Sequence, residues 1–132
     1  MKNKYFWNQL YLRYKLNALR KGYSFTLNMK MFVNLCSKNC YYCGSVPEKN
    51  FSIYTKIKNM YSKKEHKFNK KKMKKMYIVN FNGIDRKNNN KGYIMSNSIT
   101  CCKNCNSMKS DLSLKNFKRQ IKKIHKHLKL GE

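Results

Sequence analysis

Residues 82–112 read NGIDRKNNNKGYIMSNSITCCKNCNSMKSDL, and the order of signals in this stretch decides the fold. An apolar run from Tyr77 to Phe81 enters a tight turn at Asn82-Gly83, and Ile84-Asp85-Arg86 follows it. A polar turn over Lys87–Lys91 comes next, and Gly92-Tyr93-Ile94-Met95 reads as a returning strand. Cys102 and Cys105 then make a C-x-x-C knuckle, with a helix beginning near Asn104. The predicted order is strand, turn, strand, knuckle, helix.

Working outward, a second C-x-x-C lies upstream at Cys40 and Cys43, in CYYCG. Two such pairs supply four thiolates, the number a tetrahedral zinc ion takes, and each turn is tight enough to aim two sulfurs at one ion. A closed four-sulfur shell leaves no position for water or substrate, so this zinc would be structural. Cys36 and Cys101 are spare thiols, each able to replace a neighbour as ligand but more simply read as small buried hydrophobes. The clustering fits a reducing compartment better than disulfides.

Upstream, Phe6, Leu10, Tyr14 and Leu19 recur at helical spacing, and Arg20-Lys21-Gly22 closes the segment. Tyr23–Leu27 reads as extended, and Asn28 can cap a short helix carrying Met31, Phe32 and Leu35 inward. Phe51–Ile57 alternates like a strand, and Lys58–Lys75 reads as a mobile loop or basic arm. Downstream, Ser113 can cap a last helix whose Leu114, Phe117, Ile121, Ile124 and Leu128 form a stripe expected to pack on the domain. The reading is one domain over 1–132, with a helical lead-in at 1–38, the knuckles and hairpin core at 39–112 and the final helix at 113–130.

The chain carries 31 basic and five acidic residues, for a formal charge of +26. All but Arg13, Arg20, Arg86 and Arg119 of those basic residues are lysine, and asparagine is abundant, so part of the excess reflects AT-rich coding. The remainder asks for a polyanion. No uninterrupted apolar stretch is long enough for a signal peptide or a membrane span, which points to a cytoplasmic or nucleoid-associated protein, not a secreted one. Glu48, Glu65, Asp85, Asp111 and Glu132 are too scattered for a multi-carboxylate metal site, leaving a single-carboxylate site at Asp85.

The 82–112 stretch, preceded by CYYCG, resembles the HNH (ββα-metal, His-Me finger) endonucleases of phages and restriction systems. The upstream YKLNALRKGYSFTLNMKMF is similar to their lead-in, so the resemblance runs from about Tyr14 to Phe117. It implies an α+β fold, a small zinc-stabilised ββα-metal domain with flanking helices, and metal-dependent hydrolysis of phosphodiester bonds in double-stranded DNA. Carried over by position, Asp85 matches the metal-binding aspartate, Asn97 the middle asparagine and Asn106 the final ligand position. Arg86 stands where the first histidine, the general base, is expected, and arginine cannot accept a proton there. The Asp-Arg pair followed by Gly-Tyr is similar to a subset in which arginine and tyrosine serve at the active site.

On that resemblance Asp85 and Asn106 share one Mg²⁺ or Mn²⁺. Arg86 neutralises the phosphorane, and Tyr93, acidified by Arg86, orients or deprotonates water. Lys103 and Lys109 contact phosphates along with Arg86, and His66 is the replacement base to test. The plainer roles are a turn cap for Asp85, a strand aromatic for Tyr93 and a loop bridge for Asn97. The lysines would track phosphates without reading bases, with a log–log salt slope of about −5 to −9 for six to ten contacts. A homodimer is compatible with this reading but no residue demands it. The alternative is a catalytically inactive zinc-stabilised module that binds nucleic acid, and more remotely an RNA-associated structural protein.

Overall fold

The computed structural model of the protein describes residues 3–49 and 79–131. The strand expected over Phe51–Ile57, the lysine-rich segment Lys58–Lys75 and the start of the Tyr77–Phe81 run lie outside the described residues. Helix α1 spans Lys4–Arg20 and α2 spans Met29–Cys36. The Asn28 side chain caps α2 by accepting from the Met31 amide, a contact of the kind worth about 1 kcal/mol. Between the helices, Tyr11 of α1 donates to the Leu27 carbonyl at 2.8 Å and pins the connection.

Two short antiparallel pairs follow. Strand β1 (Glu48–Lys49) pairs with β2 (Asn80–Phe81), and β3 (Gly83–Arg86) pairs with β4 (Ser98–Cys101). The β3–β4 register sets Gly83 against Cys101, Ile84 against Thr100, Asp85 against Ile99 and Arg86 against Ser98. Helix α3 (Lys103–Lys109) runs on from β4, completing a ββα unit, and α4 spans Leu114–Leu128 behind a Ser113 cap. Phe6, Trp7, Leu10, Leu27, Phe32, Leu35, Phe81 and Ile84 form the main core, where α1 and α2 close over the hairpin. Thr100 of β4 donates to the Leu35 carbonyl at 2.7 Å, tying the end of α2 to the sheet.

The returning strand is not where the sequence suggested. Gly92–Met95 belongs to the connection, and Ser98–Cys101 pairs with β3. The connection docks elsewhere: Tyr93 makes a parallel bridge to Phe25, donating to Ser24 and accepting from Thr26. Gly92 is required for that approach, because a Cβ there would sit 2.1 Å from the Ser24 carbonyl oxygen and 2.7 Å from its amide nitrogen. A three-residue turn, Met95–Asn97, redirects the chain into β4.

The stripe on α4 also departs from expectation. Among the described residues only Phe117 of that stripe is buried, with Ile121, Ile124 and Leu128 exposed at 39%, 41% and 59%. Periodicity shows which face of a helix can be covered, not how far the body it rests on extends. Phe117 meets Tyr42 edge-on at 5.2 Å, so α4 is anchored by its first turn to the upstream knuckle. No helix among the described residues is long and apolar enough to cross a membrane.

Candidate active site and metal centre

The two C-x-x-C turns come together as the sequence implied. The sulfurs of Cys40, Cys43, Cys102 and Cys105 all lie within 4.8 Å of one another, and Cys43 and Cys102 are 3.7 Å apart. Zinc–sulfur bonds of about 2.3 Å at tetrahedral angles place ligand sulfurs about 3.8 Å apart, so the donor set fits zinc. Gly44 turns the first knuckle with φ +74°, and its amide donates to the Cys40 carbonyl. The Ser45 hydroxyl, 3.0 Å from the sulfur, and the Ser45 amide bring the Cys43 thiol down to about 6, favouring the thiolate that a metal requires. Burial instead pushes the Cys36 and Cys101 thiols up, and both remain spare, buried thiols.

Successive residues of β3 face opposite ways. Ile84 enters the core under α1, and Arg86 follows it on that side. The Arg86 guanidinium lies 3.6 Å from the centre of the Tyr23 ring and donates through one nitrogen to the carbonyls of Asn89 and Lys91. Around it Arg13, Asn17, Lys21, Tyr23 and Tyr93 line a cavity of about 380 Å³. Tyr93 is not acidified. Burial raises its pKa against the opposing pull of Arg86, so its hydroxyl stays protonated near neutrality.

Asp85 looks the other way and is buried. Its Oδ2 accepts from the Tyr42 hydroxyl at 2.7 Å, and the Lys109 ammonium lies 3.3 Å from both carboxylate oxygens. Burial, then the hydrogen bond to Asp85, raises the Tyr42 pKa, so Tyr42 remains a donor. Lys109 also donates to the Arg86 carbonyl at 3.3 Å and is fully buried. The expectation that Lys109 contacts phosphate from an exposed helix face is therefore corrected: its position on α3 turns it inward, four residues after the buried ligand Cys105.

Asn97 takes the bridging role. Its side chain accepts from the Asn88 amide and donates to the carbonyls of Asn88 and Gly92, which uses its amide to hold the 87–92 loop. Asn106 and Lys103 are exposed and line a second cavity, of about 510 Å³, with Arg13, Tyr14, Asn104 and the Ser45-Val46 pair that follows the first knuckle. Asp85 is not among the residues that line that cavity. Sequence reasoning missed Tyr42, Arg13 and Tyr23. A signal existed for Arg13: in a chain where nearly every cation is lysine, two of the four arginines, Arg13 and Arg86, line the same cavity.

A hairpin and helix joined by two C-x-x-C knuckles that could hold a metal ion match the ββα-metal finger, and the chain has the fold of the HNH endonucleases. The rare-cutting HNH restriction endonuclease PacI, solved in a study of DNA perturbation, matches it at a TM-score of 0.54 and 21% identity, over 92% of this chain and 78% of that one. An uncharacterised protein of Acanthamoeba polyphaga mimivirus, R423, is 37% identical over 107 residues, 81% of this chain. This chain spans only 14% of that relative's length. No family model matches the chain.

The fold family implies a divalent ion beside Asp85, and the residues present do not fit one as arranged. Both Asp85 oxygens are engaged, an ammonium stands against them, and among the described residues Asp85 belongs to no group of three or more His, Cys, Asp or Glu side chains able to hold a metal.

Proposed function

We propose that the protein is an endonuclease that hydrolyses phosphodiester bonds of double-stranded DNA. The observation that carries this reading is the pair of cavities flanking the hairpin. They share Arg13 and Tyr14 and between them present Arg13, Lys21, Arg86 and Lys103 beside Asn106. Four cations lining two cavities that share Arg13 suit a phosphate backbone, in a chain whose charge already demands a polyanion. The nuclease fold supports the same reading, although a fold alone does not assign chemistry.

In this reading Arg86 and Lys103 hold non-bridging phosphate oxygens, and the Asn106 amide donates to the charge that grows on the phosphorane. Asp85 acts from behind the strand by fixing Lys109, which in turn holds the Arg86 main chain. Tyr93 supplies a wall and not a base. His66, outside the described residues, is the base to test by His66→Ala.

The experiment is incubation of zinc-loaded protein with supercoiled plasmid, without added ion and with Mg²⁺ or Mn²⁺, beside Asp85→Asn and Arg86→Ala. Nicked or linear product that disappears in both variants supports the endonuclease. Retarded plasmid without cleavage, on several DNA sequences, selects the inactive binding module, a reading favoured by the full engagement of the Asp85 carboxylate.

A further inference from the structure

Asp85 and Lys109 are the only charged side chains buried among the described residues, and they are buried against each other. An ammonium has three donors and no acceptor. Three acceptor oxygens face it here, Asp85 Oδ1, Asp85 Oδ2 and the Arg86 carbonyl, each at 3.3 Å. Tyr42 adds a donor to Oδ2 at 2.7 Å. The carboxylate is thus neutralised one to one, and the lysine donates to Asp85 Oδ1 and the Arg86 carbonyl while making an ion pair with Oδ2.

From this juxtaposition we infer that the Lys109 ammonium is the resident cation of Asp85 and keeps a divalent metal from binding there. A hard dication needs oxygen ligands at about 2.0–2.1 Å and normally keeps several waters. Asp85 is 7% exposed, which leaves no room for that shell. A dication added beside the neutral pair would also leave two uncompensated positive charges in a desolvated site, in a protein of net charge +26. Metal could enter only if Lys109 left its three acceptors, and a buried ammonium that leaves them must be fully rehydrated. Lys109 is therefore a positioning residue for Asp85.

The inference concerns the same site as the proposed nuclease, yet its test needs no DNA and no cleavage. Zinc-loaded full-length protein is titrated with Mn²⁺, and bound ion is read from loss of the free Mn²⁺ electron paramagnetic resonance signal. Wild type and Asp85→Asn are expected to bind the same amount of Mn²⁺. Lys109→Met, which keeps the hydrocarbon volume and removes the charge, is expected to bind one additional ion per chain, lost again in Lys109→Met/Asp85→Asn. Circular dichroism and zinc content establish that each variant is folded. If Lys109→Met does not fold, Lys109→Gln replaces it, since its amide can still donate to the Arg86 carbonyl. Asp85-dependent Mn²⁺ binding by wild type overturns the inference, as does a folded lysine variant that gains no ion. Failure of the nuclease reading would show as uncut plasmid and leave the Mn²⁺ titration unchanged.

Discussion

On one side of β3, Arg86 reaches toward α1 and keeps its charge at the edge of an open cavity; on the other, Asp85 and Lys109 meet with almost no access to water. The Arg86 side uses main-chain carbonyls and the Tyr23 ring, neutral partners that hold a guanidinium while leaving its charge for an incoming anion. The Asp85 side uses a full counter-charge, which cancels the field it would otherwise project. Adjacent residues of one strand are thereby divided into a charge kept for a ligand and a charge spent on the fold.

The largest effect should come from the element both sides depend on. Stripping zinc with a strong chelator, or Cys105→Ser, should unfold the ββα unit, seen as loss of the far-ultraviolet dichroism of α3 and of tyrosine near-ultraviolet signal. A structural zinc contributes on the order of 10 kcal/mol or more, comparable with the whole stability of a small domain. Next in size is Lys109→Ala, which leaves a buried carboxylate unpaired and should lower stability by about 3–5 kcal/mol in urea titrations. Arg86→Ala removes two hydrogen bonds and a ring contact from a wetter site and should cost about 1–2 kcal/mol. It should also weaken DNA binding, while Lys109→Ala leaves the salt slope unchanged. Equal costs for the two variants would erase the distinction drawn here. The smallest effect is Gly83→Ala. Its Cβ would lie 2.8 Å from the Tyr14 hydroxyl, the far end of a side chain, so the cost should be about 1 kcal/mol and partly relieved in Gly83→Ala/Tyr14→Phe.

Much of this was legible in the residues. The C-x-x-C pairs, the caps at Asn28 and Ser113 and the helical spacing of α1 are local signals, and the structure keeps them. The displaced returning strand was hidden because Ser98-Ile99-Thr100-Cys101 alternates polar and apolar residues over only four positions and runs straight into the Cys102 knuckle, and the structure buries both of its faces. Gly92–Met95, with its glycine and apolar residues, presented the stronger pattern but was built to meet Phe25. Lys109 was invisible for a different reason. Among so many surface lysines a buried one has no compositional mark, and only its spacing from Cys105 along α3 hints that it turns inward. Tyr42 carries no mark of its own in the sequence, because its role depends on the fold bringing Asp85 of β3 against the first C-x-x-C turn. The α4 stripe marks a helix by its periodicity, but only Phe117 of it finds a buried place among the described residues.

The first and second knuckles stand 59 residues apart between Cys43 and Cys102. A growing chain therefore exposes two sulfurs of the site long before it makes the other two, and bidentate thiolate alone holds a metal weakly. Until Cys105 has left the ribosome, the upstream half of the protein has no clamp, the Leu35 carbonyl of α2 has no Thr100 hydroxyl on β4 to accept from, and Asp85 has no lysine. Metal capture, sheet closure and neutralisation of the aspartate all wait on the same few residues, so they should occur together once α3 has emerged.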